Sequence, residues 1–358
     1  MSFLYCNPCV FVIGREYEIL VLTNENGLVS IRIGDKTFYE ENSGALSTEK
    51  RHAKIRVPMT LLDTEKKYTV TFRKSVNRRA YYSLLGESEQ AEYSFKPLTK
   101  ADGINIYHIS DVHYRFDIAK RTASYFGGDL DLLVVNGDIG EVETVENYRE
   151  VAKFVGDVTS GSIPTVFVRG NHDTRGHLAE LYTDYFPADG KKTYFTFDIG
   201  VLHGIVYDCG EDKTDDHTEY GGVNIFEQFR RSQTEFFKSL EPSDKLTIAI
   251  GHICPAQPTS QKGCEFDIDG EVYFEWISEL ERVNTSFMLC GHIHRAYVLE
   301  KNDPRSLRPH NFPVIVGSAC YFDKNEIWGT AIRIENGKAK ICFTDSSSNV
   351  TEAHEINY

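Results

Sequence analysis

Five short stretches of this chain end in residue types that bind metal ions or move protons. They are Asp111-Val112-His113, Gly137-Asp138, Gly170-Asn171-His172-Asp173, Gly251-His252 and Gly291-His292-Ile293-His294. In the third, Asn171 offers an amide oxygen, His172 an imidazole and Asp173 a carboxylate: a ligand, a proton carrier and an orienting group. Carboxylate, imidazole and amide oxygen together suit borderline divalent metals such as Zn, Mn, Fe, Co or Ni. No thiolate belongs to the set, so a structural cysteine-type zinc site does not fit. The ligands are too many for one ion, and a pair of ions about 3.5–4 Å apart needs a bridging group, usually a carboxylate. Taken singly, each stretch has a plainer explanation. Gly170–Asp173 reads equally as a tight turn before an Asn-capped helix, and His113 or His292 as a core histidine.

The elements that must position these residues are β-strands. Ile104–Ile109, Leu132–Val135, Thr165–Val168, Leu246–Ile250 and Ser286–Cys290 are apolar runs, and each leads into one of the five stretches. In open α/β sheets, ligands sit at the carboxyl ends of strands, so one pocket is expected to collect all five. Helical periodicity falls between the runs. Val145, Tyr148, Ala152 and Val155 share one helix face, and Arg115–Phe126, Gly176–Tyr185, Ile225–Leu240 and Tyr273–Val283 also read as helices. Consecutive strands are expected at 193–207 and 313–343.

The order Asp-x-His, Gly-Asp, Gly-Asn-His-Asp, Gly-His, Gly-His-x-His resembles the calcineurin-like metallophosphoesterase superfamily, from about Ile104 to Cys320. The resemblance implies a four-layer α/β/β/α fold with mixed sheets. It implies two divalent transition metal ions (Mn, Fe or Zn), and a bridging hydroxide attacking a small phosphomonoester or phosphodiester in line. Carried over residue by residue, Asp111, His113, Asp138 and His294 hold one ion. Asp138, Asn171, His252 and His292 hold the other, with Asp138 as bridge. His172 faces the substrate as the proton donor to the leaving oxygen, and Asp173 fixes its tautomer. Two departures narrow the subfamily. Glu141 stands where purple acid phosphatases carry their tyrosine ligand, and Ile139-Gly140 replaces the Arg-Gly of protein Ser/Thr phosphatases. The competing readings are a non-catalytic scaffold of the same fold, which usually loses ligands, and a metal-dependent nuclease.

With 358 residues, the chain exceeds what one core usually covers, so two domains are expected. Residues 1–97 read as all-β, with period-two alternation in Val29, Ile31 and Ile33 and in Tyr68, Val70 and Phe72. Asn24–Gly27 and Ile33–Lys36 are turn signals, and a sandwich of seven or eight strands follows. It resembles the fibronectin-III or immunoglobulin-like domain that precedes some phosphoesterase domains. Pro97–Gly103 reads as a linker, and residues 98–358 as the phosphoesterase domain.

A net charge of −14 argues against broad nucleic-acid binding. Met1–Pro8 lacks the basic and apolar regions of a leader, and no apolar run approaches a membrane span. The eight scattered cysteines fit reduced thiols, and a cytoplasmic location is expected. Cys6 and Cys9 form a C-x-x-C with no second pair nearby, so no zinc site is expected there. His108, His203 and His217 read as structural, and Arg78, Arg79, Tyr81 and Tyr82 as a solvated face. Three long loops near the motifs, Cys209–Gly222, Cys254–Gly270 and Leu299–Phe312, are candidates to line the pocket. Nothing in the sequence chooses among them, and nothing in it sets the oligomeric state.

Overall fold

The computed structural model describes residues 2–358. The N-terminal β-rich region contains β1 (Cys9–Ile13), β2 (Glu16–Leu22), β3 (Gly27–Ile33), β4 (Lys36–Phe38), β5 (His52–Pro58), α1 (Met59–Glu65), β6 (Lys67–Arg78) and β7 (Ser83–Ser94). Alternating runs such as Val29-Ser30-Ile31-Arg32-Ile33 point their β-branched residues to one side, so these segments form strands with one buried face. The seven strands form two facing sheets, β4-β3-β6-β7 and β1-β2-β5, closed over one core. Helix α1 is an addition that the alternating pattern does not show.

The α/β part begins with β8 (Ile104–Ile109), α2 (Phe116–Ala123), β9 (Leu132–Asn136), α3 (Val145–Thr159) and β10 (Pro164–Val168). It continues through α4 (Tyr182–Tyr185), β11 (Phe195–Ile199), β12 (Leu202–Val206), α5 (Phe226–Ser239), β13 (Leu246–Ile250), α6 (Gly270–Arg282) and β14 (Phe287–Cys290). It ends with β15 (Tyr297–Leu299), β16 (Val314–Val316), β17 (Ala319–Tyr321), β18 (Glu326–Glu335), β19 (Lys338–Thr344) and β20 (Val350–Asn357).

Two mixed sheets pack face to face. The larger runs β20-β19-β18-β8-β9-β10-β1-β2-β5, with β17 added beside β18; the smaller runs β11-β12-β13-β14-β16-β15. Strands β8, β9, β10 and β1 are parallel neighbours, as are β12, β13, β14 and β16. Ile104 and Ile106 face the core between the sheets, while Tyr107 and Ile109 face the outer layer that holds α3. Beneath the smaller sheet α5 and α6 pack together, Phe237 stacking on Trp276 with ring centroids 4.7 Å apart. These four layers are the expected α/β/β/α arrangement.

The N-terminal sandwich is not sealed off. Strand β1 pairs parallel with β10, Val10 opposite Pro164 and Phe11 opposite Thr165, so one sheet of the sandwich is continuous with the larger α/β sheet. No local pattern shows such a pairing, because its partners are some 150 residues apart.

Candidate metal centre

The ligand-type residues hang on the carboxyl ends of parallel strands from both sheets: Asp111 after β8, Asp138 after β9, Asn171 after β10, His252 after β13 and His292 after β14. Sharp turns are needed there, and glycines supply the space. A Cβ on Gly137 would lie 2.6 Å from Gly170 Cα, so these two turns touch only because both residues lack one. Asp111, His113, Asp138, His292 and His294 themselves take positive φ, between 45° and 75°. Asp and His tolerate this left-handed backbone better than most residues, but each still costs of order 1 kcal/mol. The sheets on either side over-determine the strain.

Two groups result. Asp111, His113 and His294 gather in one, and Asp138, His252 and His292 in the other. In the first, His113 Nε2 lies 3.1 Å from His294 Nε2, which is 3.3 Å from Asp111 Oδ1. In the second, His252 Nε2 is 3.1 Å from Asp138 Oδ2, and Asn171 Oδ1 is 3.0 Å from His292 Nδ1. Donors about 2.1 Å from a common ion lie roughly 3–3.4 Å apart, which is this spacing. The groups adjoin: His252 Nε2 is 3.8 Å from Asp111 Oδ1.

Whether these residues fit metal ions is tested by their leftover valences. Asp111 Oδ1 and His252 Nε2 are buried without a hydrogen-bond partner. The opposite atoms are satisfied: Asp111 Oδ2 accepts the His292 N–H at 3.1 Å, and His252 Nδ1 donates to Asn136 O at 2.6 Å. A ring held through Nδ1 turns its Nε2 lone pair into the site, as metal-bound histidines do. Orphaned buried lone pairs are costly unless something cationic meets them. In the protein alone, histidine protons play that part. Burial pushes the Asp111 and Asp138 carboxyls up, but His252 outweighs it and holds both below the usual carboxylate range. Burial pulls His252 down, but Asp138 and Asp111 push it up to about 10. The site suits a divalent cation in that proton's place.

His172 lies beside the first group, its ring centroid 4.9 Å from that of His113. Its partner corrects an expectation. Asp173 does not orient the ring; Asp173 Oδ2 accepts the backbone N–H groups of Asp138 at 3.0 Å and Gly170 at 2.8 Å, pinning the two turns together. Glu141 instead meets His172 Nδ1 at 2.9 Å. The ordering follows from the backbone: the His172 N–H donates to Asp138 Oδ1 at 2.8 Å, so His172 turns away from its own neighbour.

Other residues take supporting places. His108 is fully buried, its Nε2 3.1 Å from the Asn136 amide. His203 pairs with Asp198 and His217 caps a short turn at Glu219. Arg169 donates to Asp208 at 2.7 Å. Sequence reasoning missed Arg175, which grips buried Glu211 through two bonds of 2.7 and 2.8 Å and brings Nη1 within 3.5 Å of His172 Nε2. Phe322 was missed as well; it packs against His113 and His294, with the Arg115 guanidinium 4.3 Å from its ring centre. Neither has a local signal beyond a charged or aromatic residue in a loop. Of the three long loops, Cys254–Gly270 walls a cavity beside His292, the first contributes Asp212, and the third supports the second through Arg308.

No curated protein matches the chain. Among solved structures, a purple acid phosphatase from yellow lupin (Lupinus luteus) seeds shares 10% identity at a TM-score of 0.61, covering 99% of this chain and 74% of its own. The structure of PhoD shares 11% at 0.60, covering 99% of this chain and 89% of its own. At these identities the likeness is one of fold. The calcineurin-like phosphoesterase model matches residues 104–296, more than half of the chain and all five motif stretches. The chain therefore belongs to the calcineurin-like phosphoesterase family.

Proposed function

We propose that this protein hydrolyses a small phosphomonoester or phosphodiester with two divalent transition metal ions. Asp111, His113, Asp138 and His294 would hold one ion, and Asp138, Asn171, His252 and His292 the other. Two bound ions would supply Lewis-acid charge to the phosphoryl oxygens and bring the ionisation of water near neutral pH. The observation that carries this reading is the pair of adjoining groups with unpartnered atoms, Asp111 Oδ1 and His252 Nε2, turned toward each other at the strand ends.

His172 gives the proton to the leaving oxygen. Glu141 on Nδ1 fixes the ring and leaves Nε2 for the substrate side, where Arg175 Nη1 adds positive charge. Asp173 acts through the backbone, holding the Asp138 and Asn171 turns at their spacing. A scaffold without activity is disfavoured because every ligand position is filled. A nuclease is disfavoured by the net charge of −14. We propose a cytoplasmic location on the pattern of the eight cysteines, which are scattered and in several cases sit inside apolar strands, as reduced thiols do. No helix among the described residues is long and apolar enough to cross a membrane.

The test is reconstitution with Mn, Fe or Zn followed by a panel of monoesters, diesters, cyclic nucleotides and nucleoside polyphosphates. Elemental analysis should find about two ions per chain. The iron form should show no purple tyrosinate band. One ion or none, with no ester cleaved, defeats the proposal.

A further inference from the structure

A cavity of about 540 Å³ opens directly beside the second ligand group, with Gly291 and His292 in its wall. That volume falls within the roughly 300–1,000 Å³ of small-molecule sites, and far exceeds the space a phosphoryl group alone requires. Its inner surface is made by Ile253, Cys254, Phe266, Ile268, Tyr273 and Ile293. The polar residues around it are mostly engaged elsewhere. Gln257 donates through Nε2 to Phe266 O, and its Oε1 accepts from Arg308. Asp212 accepts from the Tyr220 hydroxyl at 2.9 Å and from Lys213 at 3.1 Å. Of the remaining polar groups, Thr259, Ser260 and Gln261 lie on the more exposed part of the lining, and the Tyr273 hydroxyl is buried in the wall without a partner.

The wall is built rather than slack. Arg308, 7% exposed, donates to Asp267 Oδ1 at 2.9 Å, to Gly270 O at 3.3 Å and to Pro255 O at 3.4 Å, as well as to Gln257. Thr259 N–H bonds Arg305 O at 3.0 Å. These contacts tie the start, middle and end of loop 254–270 to Arg305 and Arg308 of one neighbouring loop.

We infer that this cavity is the leaving-group subsite, and that the preferred substrate is a phosphoester of a bulky apolar alcohol, aromatic or branched, rather than of a sugar or nucleoside. The inference rests on the phosphoesterase reading above. His292 belongs to both places, so a phosphoryl group at the ligand cluster puts its ester oxygen at the cavity mouth. A sugar or a base would carry several donors and acceptors into a surface with few free partners, and unpaired polar atoms there weigh against binding. An apolar ring would displace water from Ile253, Ile268 and Ile293 without that penalty.

The experiment compares phenyl phosphate with 1-naphthyl phosphate, whose leaving groups have similar acidity but different size. Methyl phosphate, a nucleoside monophosphate and the matching methyl diesters complete the series. It uses the metal-reconstituted full chain. The expected kcat/KM is about tenfold or more higher for naphthyl than for phenyl, the scale on which an apolar pocket discriminates, and lowest for the nucleotide. Cys264→Phe, which fills the cavity from a half-exposed loop position, should abolish the naphthyl advantage and leave phenyl phosphate within about twofold. Phe266→Ala, which removes part of the wall, should reduce the advantage. Calorimetry with 1-naphthol gives a readout independent of turnover, and binding should vanish in Cys264→Phe. Hydrolysis without a size preference, a preference for the nucleotide, or equal losses on all esters in a folded Cys264→Phe protein overturns the inference but leaves the hydrolase reading standing. If no ester is cleaved, the hydrolase reading fails. Naphthol binding that the filled cavity abolishes would still support the pocket, and its absence would overturn both.

Discussion

The ligand cluster and the cavity next to it share His292, yet they are held by different means. Each cluster residue sits within four residues of a strand end, and the strands belong to two sheets whose registers fix one another. The cavity wall is a loop with no regular structure from Cys254 to Asp269, anchored mainly through one guanidinium from another loop. Reacting groups tolerate little displacement, so they ride on the parts that can least move. A wall that sorts leaving groups tolerates more, and loops vary readily between related proteins. Positive φ appears in both places, at Asp111, Asp138 and His292 and again at Gln257, Thr259 and Asp269. In the first it is braced by sheets, in the second by side-chain and loop contacts: Arg308 at Gln257, Arg305 O at Thr259 and Arg230 at Asp269.

The comparison is broken most directly at Asp138. Asp138→Asn should lower metal content and slow hydrolysis of every ester about 10³-fold or more, the scale of losing one preorganised electrostatic group. Elemental analysis beside steady-state rates decides it; full occupancy with near-normal rates would mean that Asp138 is not shared between two ions.

His172 comes next. His172→Ala should keep both ions and lose about 10²–10⁴ in kcat on alkyl esters, but less on nitrophenyl esters, whose leaving group needs no proton. Glu141→Gln should move the same ratio by about tenfold, as loss of an orienting partner does. Asp173→Asn should slow both ester types alike, because it loosens the Gly137 and Gly170 turns rather than the proton donor. A metal lost from His172→Ala, or equal losses on both esters at full occupancy, removes the donor role.

Arg308 sharpens the contrast from the other side. Arg308→Ala leaves Asp267 and Gln257 without their buried partner and should cost about 1–3 kcal/mol in stability. Metal content should stay unchanged while the preference among leaving groups flattens. Thermal melting and the naphthyl-to-phenyl rate ratio measure the two effects. Loss of metal together with selectivity would show that the wall and the cluster are one mechanical unit.

The smallest effect lies outside both regions and calibrates them. His52 packs on Tyr185 with centroids 4.5 Å apart, joining β5 to α4. Burial, helped by Lys50, lowers it from the ordinary 6.5 to about 4. Because the fold favours the neutral ring, its contribution is complete above pH 6.5 and is lost as pH falls toward 4. Chemical unfolding across that window should show a decline of order 2 kcal/mol from this group. His52→Phe should flatten the decline; an unchanged slope would assign it to other groups.

Much of the strand pattern was written locally. Ile104–Ile109, Leu132–Val135 and Leu246–Ile250 are apolar enough to be strands in any sheet, and the polar residues just past them are too short of core function to be filler. Period-two alternation likewise marks β3 and β6 in the N-terminal region. Helix α1 escaped because seven residues make too few turns for a period, and β20 because Val350–Asn357 has no apolar alternation to mark it.

What the sequence by itself determined is the inventory: strand cores by periodicity, and ligand types at their ends by composition. The tertiary structure alone decided which atoms meet. The pairing of β1 with β10 joins backbone groups that carry no sequence code for one another. Glu141 rather than Asp173 serves His172 because the left-handed turn at Asp138 and the His172 N–H bond set the direction of the ring. The cavity exists because Arg308 reaches back to Gln257 and Asp267. Periodicity is a property of neighbours along the chain, whereas a side chain's partner is fixed by backbones brought together through the sheets.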